Sequence, residues 1–213
     1  MKRFAAALFC AVVLLSLFGC AKESRYNEAP DLSKKVVGSS NMMATRIPLK
    51  SVAEMADLSD IIVTGTVISD SQVIQFNSSG NDEYAAAAAE KGINVYLPAT
   101  VATVKITKVI NGNFSDETVQ VFQLGEPHTA DMQTKLENGD SVLLMLSKFD
   151  NGYYQTVDLE NSIFYIDEGD RLTSMGKELM CARYDGRPVS LLLEDLAAAN
   201  CVAKSAVTEW KEK

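Results

Sequence analysis

The fold of this chain is decided by Ser141-Val142-Leu143-Leu144-Met145-Leu146, which is followed by Asp150-Asn151-Gly152 and then by Tyr153-Tyr154-Gln155-Thr156-Val157. The first run is continuously apolar, which is typical of a strand buried on both faces. Asn-Gly is a strong hairpin signal, because a tight turn needs residues that tolerate a positive φ. The stretch therefore predicts a β-hairpin at the centre of a sheet.

Other β-rich segments on both sides of this hairpin predict further strands. The clearest is Thr118-Val119-Gln120-Val121-Phe122-Gln123-Leu124, because it alternates strictly. The remaining predicted strands are 61–68, 100–110 with a bulge near Ala102, 162–166 and 171–173. About six to seven strands joined mostly by short turns predict a mainly β fold, an antiparallel barrel or sandwich with short flanking helices.

Three helices are predicted around these strands. Ser51-Val52-Ala53-Glu54 is a capping box and predicts a helix over 51–58. Five consecutive alanines at 85–89 favour a surface helix or a partly mobile excursion over 83–91, inside the least regular part of the chain, 70–92. A leucine-rich amphipathic pattern predicts the last helix, at about 190–200.

The N-terminus has the layout of a secretory signal: Lys2 and Arg3, an apolar run over 4–18, and then Leu17-Phe18-Gly19-Cys20. The apolar run is shorter than the roughly 20 residues of a transmembrane helix. Its ending resembles the lipobox of bacterial lipoproteins, in which the signal is cut before the cysteine and the new N-terminus carries lipid. An uncleaved anchor and a plain secreted protein are the alternatives.

The lipobox resemblance implies a signal peptide over 1–19 and lipidation of Cys20, with an extracytoplasmic domain anchored at the outer face of the cell membrane. Two or three acyl chains give stable anchoring. Residues 20–46 hold few large apolar side chains, which predicts a flexible tether. The folded domain is then expected over 47–213.

The formal net charge of −8 argues against nucleic acid or an anionic lipid surface as a binding partner, because both demand a basic footprint. The expected partners are the membrane, reached through the lipid anchor, and a protein or glycan at the cell surface. Cys181 and Cys201 are the cysteines that remain after Cys10 leaves with the signal and Cys20 takes lipid. They form a candidate disulfide worth roughly 3 kcal/mol, with two buried thiols as the alternative.

Three stretches together resemble netrin-like domains, the OB-type barrels related to tissue inhibitors of metalloproteinases. Ser59-Asp60-Ile61-Ile62-Val63-Thr64-Gly65-Thr66-Val67 resembles their first strand, and residues 103–114 resemble their second strand. Gly139-Asp140-Ser141-Val142-Leu143-Leu144-Met145-Leu146 and the hairpin after it resemble a later pair of strands. The resemblance covers residues 60–165 and implies an OB-like barrel.

Inhibitors of that class chelate a protease zinc through a free N-terminal cysteine packed on the barrel. Cys20 would instead be lipidated, and it lies about 40 residues before the first predicted strand. Asn111 also replaces the usual lysine of the turn. The zinc-chelating mechanism therefore does not transfer to this chain.

Few residues indicate chemistry. His128, the sole histidine, lies in a predicted loop and is expected to be solvated; Asp167-Glu168-Gly169-Asp170 lacks the spacing of an EF-hand and is expected to be a hairpin turn. Asp158 and Glu160, near Asp150, could pair as acid and base, although chance proximity is favoured among so many acids. Tyr153, Tyr154, Phe164 and Tyr165 are expected mainly in cross-strand packing, or else in an outward binding platform.

These observations favour a lipid-tethered, non-enzymatic binding module of unknown ligand, with no cofactor and no metal. The alternatives are a protease-inhibitor-like module and an extracytoplasmic Asp/Glu-dependent hydrolase. A deep cleft with convergent carboxylates would favour the hydrolase, whereas an exposed aromatic or edge-strand surface would favour the module.

Overall fold

The computed structural model describes residues 49–69, 72–78, 81–125, 135–149, 152–176 and 178–211. The predicted signal peptide over 1–19, nearly all of the region before the first helix, and Cys20 lie outside these ranges, as do His128, Asp150 and Asn151.

The described residues form eight strands and five short helices. The strands are β1 Ile61–Val67, β2 Gln72–Asn77, β3 Tyr96–Asn111, β4 Thr118–Leu124, β5 Ser141–Lys148, β6 Tyr154–Thr156, β7 Ile163–Ile166 and β8 Leu172–Ser174. The helices are α1 Val52–Asp57, α2 Asp82–Glu90, α3 Leu179–Ala182, α4 Val189–Ala198 and α5 Lys204–Lys211, and a 3-10 turn covers Leu159–Ser162. A mainly β fold with short helices is therefore confirmed.

Five of these strands close into a barrel. The ring runs β1-β3-β4-β6-β5, and β5 pairs back onto β1, with Val63 opposite Leu144. The prediction of a strictly antiparallel barrel is wrong, because β4 and β6 are parallel, with Val121 opposite Tyr154. Strand directions cannot alternate all the way around a closed ring of five, so at least one neighbouring pair must run in the same direction.

The predicted number of six to seven strands is also too low, mainly because β2 was not anticipated. Polar residues interrupt its apolar ones, and its partner is distant in sequence: Phe76 lies opposite Leu97 of β3. β7 and β8 extend the sheet beyond β5. The bulge predicted near Ala102 is absent from the regular β3–β4 pairing; the extra residues of β3 against β1 are instead Thr107 and Ile110.

Strands β1 and β5 are buried on both faces over most of their length, which explains why β5 is apolar from Val142 to Leu146. Val63, Leu144 and Tyr165 point into the barrel interior, whereas the alternate residues of these strands lie in a second core on the outer face. Members of α1, α4 and α5 cover that outer face, including Met55, Leu192, Leu196, Ala206 and Trp210. These three helices therefore pack together over one side of the barrel.

The capping box at α1 is confirmed in the structure. The Ser51 Oγ accepts a 3.2 Å hydrogen bond from the Glu54 amide, as the Ser-x-x-Glu spacing predicts. The Glu54 carboxylate reaches one residue further back than a standard box and accepts a 2.6 Å bond from the Lys50 amide. These bonds satisfy amides at the exposed helix start, so α1 begins where the sequence predicts.

The candidate disulfide between Cys181 and Cys201 is not formed in this structure, where both cysteines are buried and their sulfurs are not bonded to each other. The Cys181 thiol donates to the Asn161 carbonyl at 3.4 Å, and the Cys201 thiol lies 3.4 Å from Asp57 Oδ1. Burial, and then the bond to Asp57, raises the pKa of the Cys201 thiol. The two sulfurs thus bond to different elements of the outer core.

Candidate functional site

A group of four aromatic side chains is the most distinctive surface feature of the described residues. It consists of Phe76, Phe122, Phe149 and Tyr153 and is called the aromatic cluster below. Phe76 meets Phe122 edge-on with ring centroids 5.0 Å apart, and Phe149 stacks on Phe122 at 6.0 Å with the planes inclined by 10°. Tyr153 also stacks on Phe122, at 6.5 Å. Phe122 is therefore the centre of the cluster.

Three separate parts of the fold bring these rings together. Phe76 comes from β2, and Phe122 comes from β4, opposite Val101 of β3. Phe149 and Tyr153 flank the turn between β5 and β6, where the Phe149 amide donates to the Tyr153 carbonyl at 2.7 Å. The short β6 lies between β4 and β5, so the end of this hairpin stands beside Phe122.

The turn that presents two of the rings depends on Gly152. Its amide donates to the Phe149 carbonyl at 2.9 Å, and its φ is 88°. Because a positive φ is strained for most side chains, glycine suits this position. The predicted hairpin between β5 and β6 is present, although two of its turn residues lie outside the described ranges.

The aromatic cluster is partly exposed to solvent. Phe122 is only 4% exposed, whereas Phe76, Phe149 and Tyr153 are half-buried. Aliphatic side chains of β2, β3 and β4 surround the rings, namely Ile74, Ala99, Val101 and Leu124. Such a surface offers ring faces and edges to a ligand while its base is held by the sheet.

Of the four residues considered for an outward aromatic platform, only Tyr153 lies in the aromatic cluster, and the other three pack inside the fold as mainly expected. Phe164 and Tyr165 are fully buried in the outer core and in the barrel interior respectively. Tyr154 packs edge-on against Phe114 with centroids 5.8 Å apart. Burial, followed by the Asp60 and Asp116 carboxylates, raises the pKa of the Tyr154 hydroxyl. The alternation of side chains along a strand separates Tyr153 from Tyr154.

Sequence reasoning missed three residues of the aromatic cluster. Phe122 was visible in the clearest predicted strand, and Phe149 directly precedes the predicted turn. Phe76 could not be placed, because the β2 strand itself was not predicted.

The acidic candidates occupy structural positions. Asp158 is 4% exposed; its Oδ2 accepts a 3.1 Å bond from Asn161 Nδ2, and its amide donates to Ser162 Oγ at 2.7 Å. These bonds hold the 3-10 turn before β7, and Asp150 lies outside the described residues. Asp167 Oδ1 accepts a 2.8 Å bond from the Arg171 amide, which fits the predicted hairpin turn between β7 and β8.

Within the described ranges, no three or more His, Cys, Asp or Glu side chains are grouped so that they could hold a metal ion. No helix in those ranges has the length and apolar character needed to cross a membrane. Comparison with protein-family models, with curated proteins and with solved structures finds no match to this chain.

Proposed function

We propose that this chain is a lipid-anchored, extracytoplasmic binding module on an OB-like barrel, and that its aromatic cluster binds a glycan at the cell surface. The single observation that carries the proposal is the partly open group of rings around Phe122. The apolar C–H faces of sugar rings pack on aromatic rings, and the half-buried Phe76, Phe149 and Tyr153 are within reach of a ligand.

The strand order supports an OB-like barrel. Counted along the chain, the five barrel strands follow the ring order 1-2-3-5-4, and the parallel contact joins the third and fifth. In OB-type barrels, the face of the second and third strands, together with the loops beside it, binds oligosaccharides and oligonucleotides. Here Phe122 of the third barrel strand packs with Ala99 and Val101 of the second, which supports a ligand site on the same side of the barrel. The acidic charge of −8 favours a glycan over a nucleic acid.

The anchor is proposed from the lipobox-like Leu17-Phe18-Gly19-Cys20. Residues 20–46 would then serve as the tether and 47–213 as the domain. Cells fed a fatty-acid analogue should label the natural protein and not a Cys20→Ala variant. Equal labelling of the two proteins would remove the anchor from the proposal.

The binding surface can be tested with purified full-length protein on an array of bacterial surface glycans. Truncation of one ring, in Tyr153→Ala or Phe149→Ala, should weaken binding by about tenfold, since an aromatic contact contributes about 0.5–1.5 kcal/mol beyond its buried area. Phe114→Ala is the matched control, because Phe114 is also a half-buried ring but packs on Tyr154 outside the cluster. Equal losses in all three variants would contradict the proposal.

A second candidate is a peptide ligand that adds a strand to β2. Within the described residues β2 pairs with β3 alone, and the side chain of Val73 is 50% exposed. Unpaired strand edges recruit extended peptides, and a protease-inhibitor-like module could act in this way. In a pull-down from native membranes, a captured protein that is lost with Val73→Lys but kept with Tyr153→Ala would favour the peptide over the glycan, because lysine on an edge strand discourages pairing.

A further inference from the structure

A polar cavity of ≈ 240 Å³ lies on the outer face of the barrel, where β1 and β5 meet the β7–β8 turn and α5. Thr64, Ser141, Glu168 and Trp210 contribute to its lining, one from each of these four elements. The cavity shares no residue with the aromatic cluster. Its volume is just below the range of about 300–1,000 Å³ typical of drug-sized ligands, so it suits a smaller group.

The lining residues differ in depth. Thr64 is 3% exposed and Trp210 7%, whereas Ser141 and Glu168 are exposed. The first two therefore form the base of the cavity, and the latter two form its rim. Thr64 lies two residues after Ile62 along β1, on the same strand face, at the margin of the area that the helices cover.

The hydroxyl of Thr64 is the unusual feature. Among the described residues, its Oγ1 is a buried side-chain oxygen without a hydrogen-bond partner. Buried polar atoms are nearly always paired in folded proteins, and the exceptions need an explanation. A valine would fill the same space without an unpaired oxygen. A threonine at the base of a cavity is explained if a bound group supplies the missing partner.

The charge of the cavity indicates what that group is. Asp167, Glu168 and Asp170 all line it, and none of the described lining residues is basic. These carboxylates do not gather as metal ligands, since the described residues contain no group of three arranged for that purpose. An ammonium group needs less strict geometry, because it has three donors that can reach separate acceptors.

The apolar residues that line the cavity suit the aliphatic part of such a ligand. Ile166 and Trp210 offer a surface for methylene groups, and an aromatic ring face attracts a cation. We propose that this cavity binds an ammonium group on an aliphatic stem, as carried by a free diamine or by a lysine side chain. Thr64 Oγ1 accepts one of its hydrogen bonds at the base, and the carboxylates at the rim supply the opposite charge.

Trp210 is the only tryptophan of the chain, so its fluorescence reports directly on the cavity. The full-length protein in detergent is titrated with 1,5-diaminopentane, with Nα-acetyl-lysine amide, and with the uncharged isostere 1,5-pentanediol. Saturable changes in emission are expected with the amines and not with the diol. A stronger response to the diamine than to the lysine derivative would identify a free amine as the ligand; the reverse would identify a lysine side chain.

Two variants locate the binding. Glu168→Gln, at an exposed turn position, and Thr64→Val should each weaken the amine response by about tenfold, the loss expected for one hydrogen bond to a charged group. Glu178→Gln is the control, because Glu178 is exposed and does not line the cavity. An absent response to both amines, an equal response to the diol, or a response unchanged in both variants would overturn the proposal.

Discussion

The Tyr184 hydroxyl donates a 2.7 Å hydrogen bond to Asp195 Oδ2, which joins the segment after α3 to α4. The same carboxylate oxygen receives the Arg183 guanidinium at 2.8 Å, and that guanidinium lies 5.0 Å from the centre of the Tyr184 ring. Tyr184 itself is fully buried and meets Phe164 edge-on at 6.2 Å. One phenol thus links the helical layer to the outer face of β7.

We expect the two partners of Asp195 to contribute unequally to stability. Tyr184→Phe should lower the free energy of unfolding by about 1–2 kcal/mol, because it removes a hydrogen bond to a charged group at a buried ring. Arg183→Gln should lower it by less than about 1 kcal/mol, since the Arg183 side chain is 58% exposed and exposed ion pairs contribute little. Urea unfolding of both variants measures the difference, and a larger loss for Arg183→Gln would contradict this ranking.

Stability should fall at alkaline pH. Burial, followed by the hydrogen bond to Asp195, raises the pKa of Tyr184 above its ordinary value of 10.0, and burial raises that of Tyr165 well above the same value. The folded state therefore keeps these protons to higher pH than the unfolded state does. Their contribution is complete below about pH 10 and is lost as the pH rises through the raised values.

The measurement is the free energy of unfolding between pH 8 and pH 12, compared with that of Tyr184→Phe. The variant should show a shallower decline above about pH 10, because one of the titrating groups is gone. Parallel curves for the two proteins would show that Tyr184 does not contribute to the alkaline decline.

Two glycines with positive φ should differ in their tolerance of alanine. Gly152 has a φ of 88° and open space around the position of an added Cβ, so Gly152→Ala should cost only the backbone strain, about 1–2 kcal/mol. Gly112 has a φ of 90°, but its added Cβ would collide with the Asp60 carbonyl and lie 2.9 Å from Ile61 Cγ2. Gly112→Ala should therefore cost clearly more. Equal melting temperatures for the two variants would contradict this comparison.

Two buried threonines provide a matched test of hydrogen bonding. Thr64→Val should leave stability unchanged or raise it by up to about 1 kcal/mol, because the unpaired Thr64 hydroxyl is replaced by a methyl group of similar size. Thr100→Val should lower stability by about 1 kcal/mol, because Thr100 Oγ1 donates to the Gln123 carbonyl at 3.3 Å. Calorimetry on the ligand-free protein distinguishes the two cases, and a destabilised Thr64→Val would indicate a partner for that hydroxyl.

The local elements of this fold follow from short stretches of sequence. Ser51 and Glu54 determine the start of α1, the apolar run of β5 determines a strand buried on both faces, and Gly152 determines the turn after it. Each depends on a periodicity or a backbone preference that operates within a few residues. These features are therefore predictable before any packing is known.

Only the tertiary structure decided which faces of the strands and helices pack against each other. Strand periodicity shows that Tyr153 and Tyr154 point in opposite directions, but not which of the two reaches the aromatic cluster. Phe76 joined that cluster through a pairing with a partner some 20 residues away along the chain, and Thr64 shares a cavity with Trp210 only because α5 packs beside β1. Such contacts depend on which elements, distant along the chain, pack over one another. The parallel strand pair depends on the odd number of strands in the closed barrel. No local sequence pattern encodes either feature.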